Sequence, residues 1–375
     1  MTDRPVLVLN AGSSSLKYQV LRPRTGESLL GGHLERLHHD DFGAALVRVA
    51  EELEGAGLGV DNLAAVGHRV VHGGSRFVVP TLVDDAVLAG LEELVPLAPL
   101  HNPPAIEGMR HSREVYPALA QVAVFDTAYF ADLPVEAATY ALDRELAASH
   151  GIRRYGAHGI SHHYVAGEVA AFLGRPLAEL DQIVLHLGNG ASATAIRGGR
   201  PVETSMGMTP LEGLVMGTRG GDLDPGVLLH LLRVGGLDVD ELDDLLHHRS
   251  GLRGMCGLQD FRDLEPALDA GDEAATTAYA VYCHRLRKYL GAYLAVLGGA
   301  DVITFTAGAG EHVPRLRADV LTGLERLGIR LDPVLNSAAV GPARISDDDS
   351  EVAVLVVPTH EELSIARQVV EVLAG

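Results

Sequence analysis

Val6-Leu7-Val8-Leu9-Asn10-Ala11-Gly12-Ser13-Ser14-Ser15-Leu16-Lys17 sets a short apolar run, a turn of glycine and hydroxyl residues, and the start of a second run that continues to Leu21. Apolar runs on either side of such a turn predict a β-hairpin. The pattern returns with an apolar run at 183–187, then Gly188-Asn189-Gly190-Ala191-Ser192, then a further run at 193–196. Gly12-Ser13-Ser14 lines up with Gly190-Ala191-Ser192 at an offset of 178 residues. Two copies that far apart in a chain of 375 residues predict a duplicated domain, not a short-period solenoid.

Between and beyond the hairpins, apolar residues at three- and four-residue spacing predict helices over 84–95, 159–173 and 276–297. Asp84 and Asp85 mark a helix start. Strand-like runs at 64–71, 122–125, 302–306 and 352–357 complete an α/β pattern of helices packed on sheets. The domain boundary falls near 126–134, where a strand ends and a proline-containing segment begins.

Fifty acidic residues against 30 basic ones give a formal net charge of −20, which opposes binding to nucleic acid or to an anionic membrane surface. The two cysteines, Cys256 and Cys283, have neither the number nor the spacing of a disulfide framework or zinc ribbon, and fit a reducing cytoplasm. Only four apolar residues precede Asn10, so no export signal is expected, and no stretch reaches the length of a membrane span.

The 43 glycines gather at the ends of apolar runs. Three such places read as glycine-rich loops after strands: residues 10–15, residues 188–192, and Ala307-Gly308-Ala309-Gly310-Glu311. Small residues let backbone N–H groups approach an anion and hydroxyls add donors, so these loops suit phosphate. Neither a G-x-x-x-x-G-K-[ST] nor a G-x-G-x-x-G after the first strand is present. Of only two lysines, Lys17 lies just past the first turn, where a flexible point charge reaches phosphate. Arg69 and Arg219 sit in glycine-flanked segments, Gly67-His68-Arg69-Val70-Val71-His72-Gly73-Gly74 and Met216-Gly217-Thr218-Arg219-Gly220. His158 and His162 have i, i+4 spacing but lack the intervening glutamate of a zinc hydrolase. Asp126 and Glu361 stand at strand ends, the rim where α/β folds bind ligands; an Asn with one or two such carboxylates suffices for magnesium.

Taken together, the chain from about Val6 to Leu373 resembles the acetate kinase family of the actin-like ATPase and sugar kinase superfamily. The resemblance rests on Asn10-Ala11-Gly12-Ser13-Ser14-Ser15-Leu16-Lys17, the Gly67 to Gly74 segment, Leu100-His101-Asn102-Pro103-Pro104, His186-Leu187-Gly188-Asn189-Gly190, residues 205–219, and residues 358–363. It implies two duplicated actin-like ATPase (ribonuclease H-like) domains with an interdomain active-site cleft. Residues 1–130, joined by a C-terminal helix at about 363–375, would form the first domain, and 131–362 the nucleotide-binding one. It further implies a homodimer and the reaction ATP + acetate ⇌ ADP + acetyl phosphate with Mg²⁺, for which Mn²⁺ can substitute. Propionate or another short-chain carboxylate is the alternative acceptor, and pyrophosphate an alternative donor.

By the same resemblance Asn10 and Glu361 match metal-site residues, Lys17 a nucleotide contact, Arg69 the carboxylate-binding residue and Asp126 the active-site carboxylate. His158 and Arg219 match residues that stabilise the transition state. His186, Leu187, Gly188, Asn189 and Gly190, with Asp260, Phe261 and Arg262, match nucleotide loops, as do Gly308, Ala309, Gly310, Glu311 and His312. Val71, Leu100 and Pro210 match the pocket for the methyl group. The sequence departs from the family pattern at Ala157, where an aromatic residue is common, at Phe130, where a histidine is usual, and at His312 and His360. Ala157 leaves room for a longer acyl chain. An actin-like filament or nucleotide-dependent chaperone would share the fold but does not explain Arg69 and His158 beside the Pro210 segment. A carboxylate acceptor with a pKa near 4 is already ionised at neutral pH, so Asp126 is expected to position groups or bind metal, not to take a proton.

Overall fold

The computed structural model describes residues 4–12, 15–37 and 41–374, so Ser13 and Ser14 of the first turn lie outside the described residues. The chain divides into two compact units. The first comprises Met1–Ala131, Ala157–Ser161 and His360–Gly375; the second comprises Asp132–Gly156 and His162–Thr359.

In the first unit β1 (Val6–Gly12), β2 (Ser15–Leu21), β3 (Ser28–Glu35), β4 (Ala65–Val70), β5 (Thr81–Leu82) and β6 (Ala120–Phe125) form one sheet in the order β3-β2-β1-β4-β6-β5. In the second, β7 (Asp181–Leu187), β8 (Ala191–Arg197), β9 (Arg200–Thr204), β10 (Val302–Thr306), β11 (Ala343–Arg344) and β12 (Ala353–Val356) are ordered β9-β8-β7-β10-β12-β11. The sheets match strand for strand. In each, three central strands run parallel, a hairpin strand and its neighbour run antiparallel, and a two-residue strand closes the far edge antiparallel. The parallel strands read as unbroken apolar runs because both faces are covered; all of β10 is buried.

The duplication holds for strand order but not for the residue alignment that suggests it. Gly12 pairs with Ser15 as the last rung of the first hairpin, whereas the second closes on Leu187 and Ala191 around a three-residue turn. Gly190 therefore lies in a turn, and the partner of Gly12 in the fold is Leu187.

Helix Phe42–Gly55 buries Phe42, Ala45, Leu46, Val49 and Leu53 on one stripe, which joins Leu7, Leu9, Leu16 and Val20 in the core of the first unit. Helix Glu361–Ala374 packs on β4 at Gly67, where a Cβ would come within 2.8 Å of methyl groups of Ile365 and Val369. In the second unit helix Glu273–Leu297 starts at an Asp272 cap whose side chain accepts from the Ala275 amide and stops at Gly298, with φ of 73°. A capping carboxylate and a left-handed glycine are the usual start and stop of such a helix.

One sequence expectation is corrected. Residues 307–311 are not a loop: Ala307–His312 is a short helix following β10 directly, entered through Ala307 at φ 63°. Residues 157–161 belong to the first unit, because the Gly159 amide bonds the Asp126 carbonyl at 3.0 Å. Residues 360–362 join that unit too, through ion pairs of Glu361 with Arg69 and of Glu362 with Lys17.

Candidate active site

In the first unit Asn10, Arg69 and Asp126 lie at or just past the carboxyl ends of three adjacent parallel strands, β1, β4 and β6. Arg69 Nη2 donates to Asp126 Oδ2 at 2.8 Å, and its Nη1 lies 3.2 Å from Glu361 Oε2. Asp126 is 1% exposed and its second oxygen, Oδ1, has no hydrogen-bond partner. Burial pushes the Asp126 carboxyl above the ordinary carboxylate range, against the opposing pull of Arg69. Burial works against the Arg69 charge, but Asp126 and Glu361 overcome it and hold the guanidinium firmly protonated. The cluster is a cation shared by two carboxylates at a sheet rim.

His158, at φ 57°, precedes the Gly159 amide that docks on Asp126. A Cβ at position 159 would lie 2.0 Å from the Asp126 carbonyl oxygen, so only glycine permits this approach. The segments that carry Val71 and Leu100 are tied by a residue the sequence motif contains but does not single out. Asn102 is fully buried, donates to the His72 carbonyl at 3.0 Å and accepts from the His72 amide at 3.2 Å. Ala157 is buried in this unit as well, and Phe130 is a core side chain. Lys17 Nζ lies 2.5 Å from Glu362 Oε1; burial would raise the Glu362 pKa, but the lysine contact wins and lowers it. Histidine 68 is structural: its Nε2 is 2.7 Å from Gln121 Oε1, and burial pushes its pKa down to about 4.

In the second unit the glycine turn between β7 and β8 and the short helix after β10 face a cavity of about 380 Å³. Of the residues expected at the nucleotide, Gly188, Asn189, Asp260, Phe261, Arg262, Gly308, Ala309 and His312 line it; Gln259, Glu265 and Val313 line it without having been singled out. His186, Leu187, Gly190, Gly310 and Glu311 are not among the lining residues. Leu187 is fully buried, and Glu311 Oε1 accepts from the amides of Ala307 at 2.8 Å and Thr359 at 3.2 Å, holding the segment in place. Asp260 caps helix Phe261–Asp269 and also binds Arg262 at 2.7 Å, so the two charges satisfy each other. The Phe261 ring packs edge-on against Tyr282, with centroids 5.2 Å apart.

Arg219 differs from the other cations of the site. Its Nη1 donates to the Pro210 carbonyl at 2.8 Å, and among the described residues no carboxylate pairs with it. Burial lowers its pKa to about 10, which leaves it charged at neutrality. Its loop is fixed on two sides. The Gly217 amide donates to the Asn189 carbonyl at 3.0 Å, at a glycine whose Cβ would fall 2.0 Å from Asn189 Oδ1. On the other side the amides of Ser250, Leu252 and Arg253 donate to the carbonyls of Thr218, Met216 and Gly217. An unpaired guanidinium is thus tied rigidly to the glycine turn that lines the cavity.

Among the described residues no group of three or more His, Cys, Asp or Glu side chains is placed to hold a metal ion. The set Asn10, Asp126 and Glu361 supplies only hard oxygen donors, and Asp126 Oδ1 is a buried acceptor with no donor of its own. That donor set fits magnesium, which takes one or two carboxylates and completes its shell with water and phosphate. No described helix is long and apolar enough to cross a membrane, and both cysteines are free.

Two six-stranded sheets of the same strand order, each with flanking helices, define a duplicated α/β fold. Within it the chain belongs to the acetokinase family, whose model matches residues 41–367. It is 39% identical to Porphyromonas gingivalis acetate kinase, over 98% of this chain and 99% of that one, with a TM-score of 0.93. A propionate kinase from Francisella tularensis is 36% identical, over 97% and 98%, with a TM-score of 0.91. Entamoeba histolytica acetate kinase is 30% identical, over 98% and 99%, at 0.87. The chain is therefore a kinase.

Proposed function

We propose that the chain catalyses the reversible, magnesium-dependent transfer of the γ-phosphoryl group of ATP to acetate, giving acetyl phosphate and ADP. The observation that carries this reading is Arg219, a cation without a carboxylate partner tied to the glycine turn of a nucleotide-sized cavity. A guanidinium left uncompensated in protein calls for an anion from the ligand, and phosphoryl transfer spreads charge over equatorial oxygens that such a group stabilises.

In this scheme an acetate oxygen attacks the γ-phosphorus in line. The bond to the β–γ bridging oxygen breaks, and its electron pair leaves with ADP. No proton moves, since acetate is ionised at neutral pH. Arg69 holds the acetate carboxylate, Asp126 and Glu361 fix the direction of Arg69, and Val71, Leu100 and Pro210 take the methyl group. Lys17, His158 and Arg219 meet phosphoryl oxygens, while the backbone of residues 188–190 and 308–310 receives the remaining phosphates. Magnesium on Asn10, Asp126 and Glu361 would neutralise phosphate charge.

Trapping with hydroxylamine in the presence of ATP, Mg²⁺ and acetate is expected to yield acetohydroxamate; its absence, with the protein folded, overturns the proposal. A second acceptor follows from the small buried Ala157 and the likeness to a propionate kinase. Comparing kcat/KM for acetate, propionate and butyrate decides between them, because one methylene carries about 1 to 3 kcal/mol in a fitted pocket.

A further inference from the structure

The cavity of the second unit contains a charge that nothing above employs. Glu265 lines it, half-buried on helix Phe261–Asp269, and among the described residues its carboxylate has no hydrogen-bond or ion-pair partner. The nearest cation in sequence, Arg262, is held by Asp260 through Nε at 3.0 Å and Nη2 at 2.7 Å, so it does not neutralise Glu265. An ionised carboxylate only accepts hydrogen bonds. It also repels phosphate, since like charges close together at a protein surface disfavour one another.

The second unit therefore carries two unpaired charges of opposite sign. Arg219, tied to the 188–190 turn, calls for an anion, and Glu265, which lines the cavity together with Gln259, Phe261 and Val313, calls for an uncharged group rich in N–H or O–H. A nucleotide has both ends. We infer that Glu265 is a specificity-determining residue that accepts a hydrogen bond from the nucleoside, either from a ribose hydroxyl or from the exocyclic amine of adenine. This orients the ligand with its phosphates toward the glycine turn. The inference rests on the proposal that this cavity holds ATP.

The test measures binding rather than turnover. Dissociation constants of ADP, 2′-deoxy-ADP, 3′-deoxy-ADP and purine riboside diphosphate, which lacks the 6-amino group, are determined by calorimetry with Mg²⁺ for the wild type, Glu265→Gln and Glu265→Ala. A hydrogen bond to a charged acceptor is worth a factor of about 10 to 100. The wild type should disfavour one analogue by that factor, Glu265→Ala should bind it as well as ADP, and Glu265→Gln, which keeps one acceptor oxygen, should fall between. The analogue affected tells ribose from base. Three results overturn the inference: equal discrimination in wild type and Glu265→Ala, no discrimination in the wild type, or tighter ADP binding by Glu265→Ala, which would place phosphate beside Glu265. A wild type that binds ADP with this pattern but forms no acetyl phosphate sinks the proposed reaction and leaves the role of Glu265 intact.

Discussion

The two units have sheets of the same topology and differ at the rim. Asp126 follows β6 with its amide on the Val70 carbonyl, and Val357 follows β12 with its amide on the Phe305 carbonyl in the same way. One residue earlier on the neighbouring strand the first unit has Arg69 and the second Thr304. Charged side chains thus stand in the first unit where the second keeps neutral ones. The second unit instead brings small residues to its rim, in the Gly188-Asn189-Gly190 turn and at the start of helix Ala307–His312. In the proposed reaction the salt-bridged side chains of the first unit would serve the small carboxylate, and the glycine turn and short helix of the second unit the nucleotide. The cations follow this division, since Arg69 and Lys17 are paired and Arg219 is not.

That contrast is open to direct attack. If Arg219 awaits a ligand, Arg219→Ala lowers kcat by about 10³ or more, by analogy with other arginines that serve phosphoryl transfer, while urea denaturation shows stability unchanged or improved. A loss below tenfold in a folded protein removes its role. Arg69→Ala should behave in the opposite sense for stability. It strands Asp126 and Glu361, and breaking a buried pair typically costs about 3 to 5 kcal/mol, visible in urea denaturation together with a raised KM for acetate. Acid sensitivity is the next largest effect. His68 has a folded pKa of about 4 against 6.5 unfolded, so its contribution is complete above pH 6.5 and is lost as pH falls toward 4. The shift corresponds to about 3 kcal/mol, and stability of His68→Gln measured across that window should vary less steeply with pH than that of the wild type. Asn102→Ala removes the two hydrogen bonds to the His72 backbone; about 2 kcal/mol of stability and a raised KM for acetate with an unchanged KM for ATP are expected. Lys17→Met tests the smallest effect: as an exposed pair with Glu362 it contributes under about 1 kcal/mol to stability, so a large kinetic defect would have to come from substrate.

Much of the fold was legible because the parallel strands are buried on both faces and announce themselves as unbroken apolar runs. Strand β3 was not. Its Gly31 and Gly32 weaken any strand signal, yet a Cβ at Gly32 would lie 2.6 Å from the Tyr18 hydroxyl, so glycine is what lets that ring, hydrogen-bonded to Glu52, lie across the strand. The 307–311 segment read as a loop because two glycines in five residues argue against helix; packing after β10 overrides that preference. Arg69, His158 and Arg219 stand out in the sequence because each lies close to glycine. The polar supports do not. Asn102 shows its role only once the His72 backbone folds against it, and Glu265 in a run of acidic helix residues looks like any solvated face. The Asp260–Arg262 pair shows the converse, two charges marked for a ligand that bind each other.

Arg317 carries a further consequence. Its guanidinium is fully buried and meets only neutral groups: the carbonyls of Gly310 and Glu311 and both oxygens of Asn336, at 2.7 to 2.9 Å. Neither helix Ala307–His312 nor helix Pro333–Ala338 can open without exposing that charge's partners, so the two segments, far apart in sequence, should open as one cooperative block. Amide hydrogen exchange is where this would be seen: residues 308–312 should exchange in step with residues 333–338, and more slowly than the Lys17 side of the first hairpin.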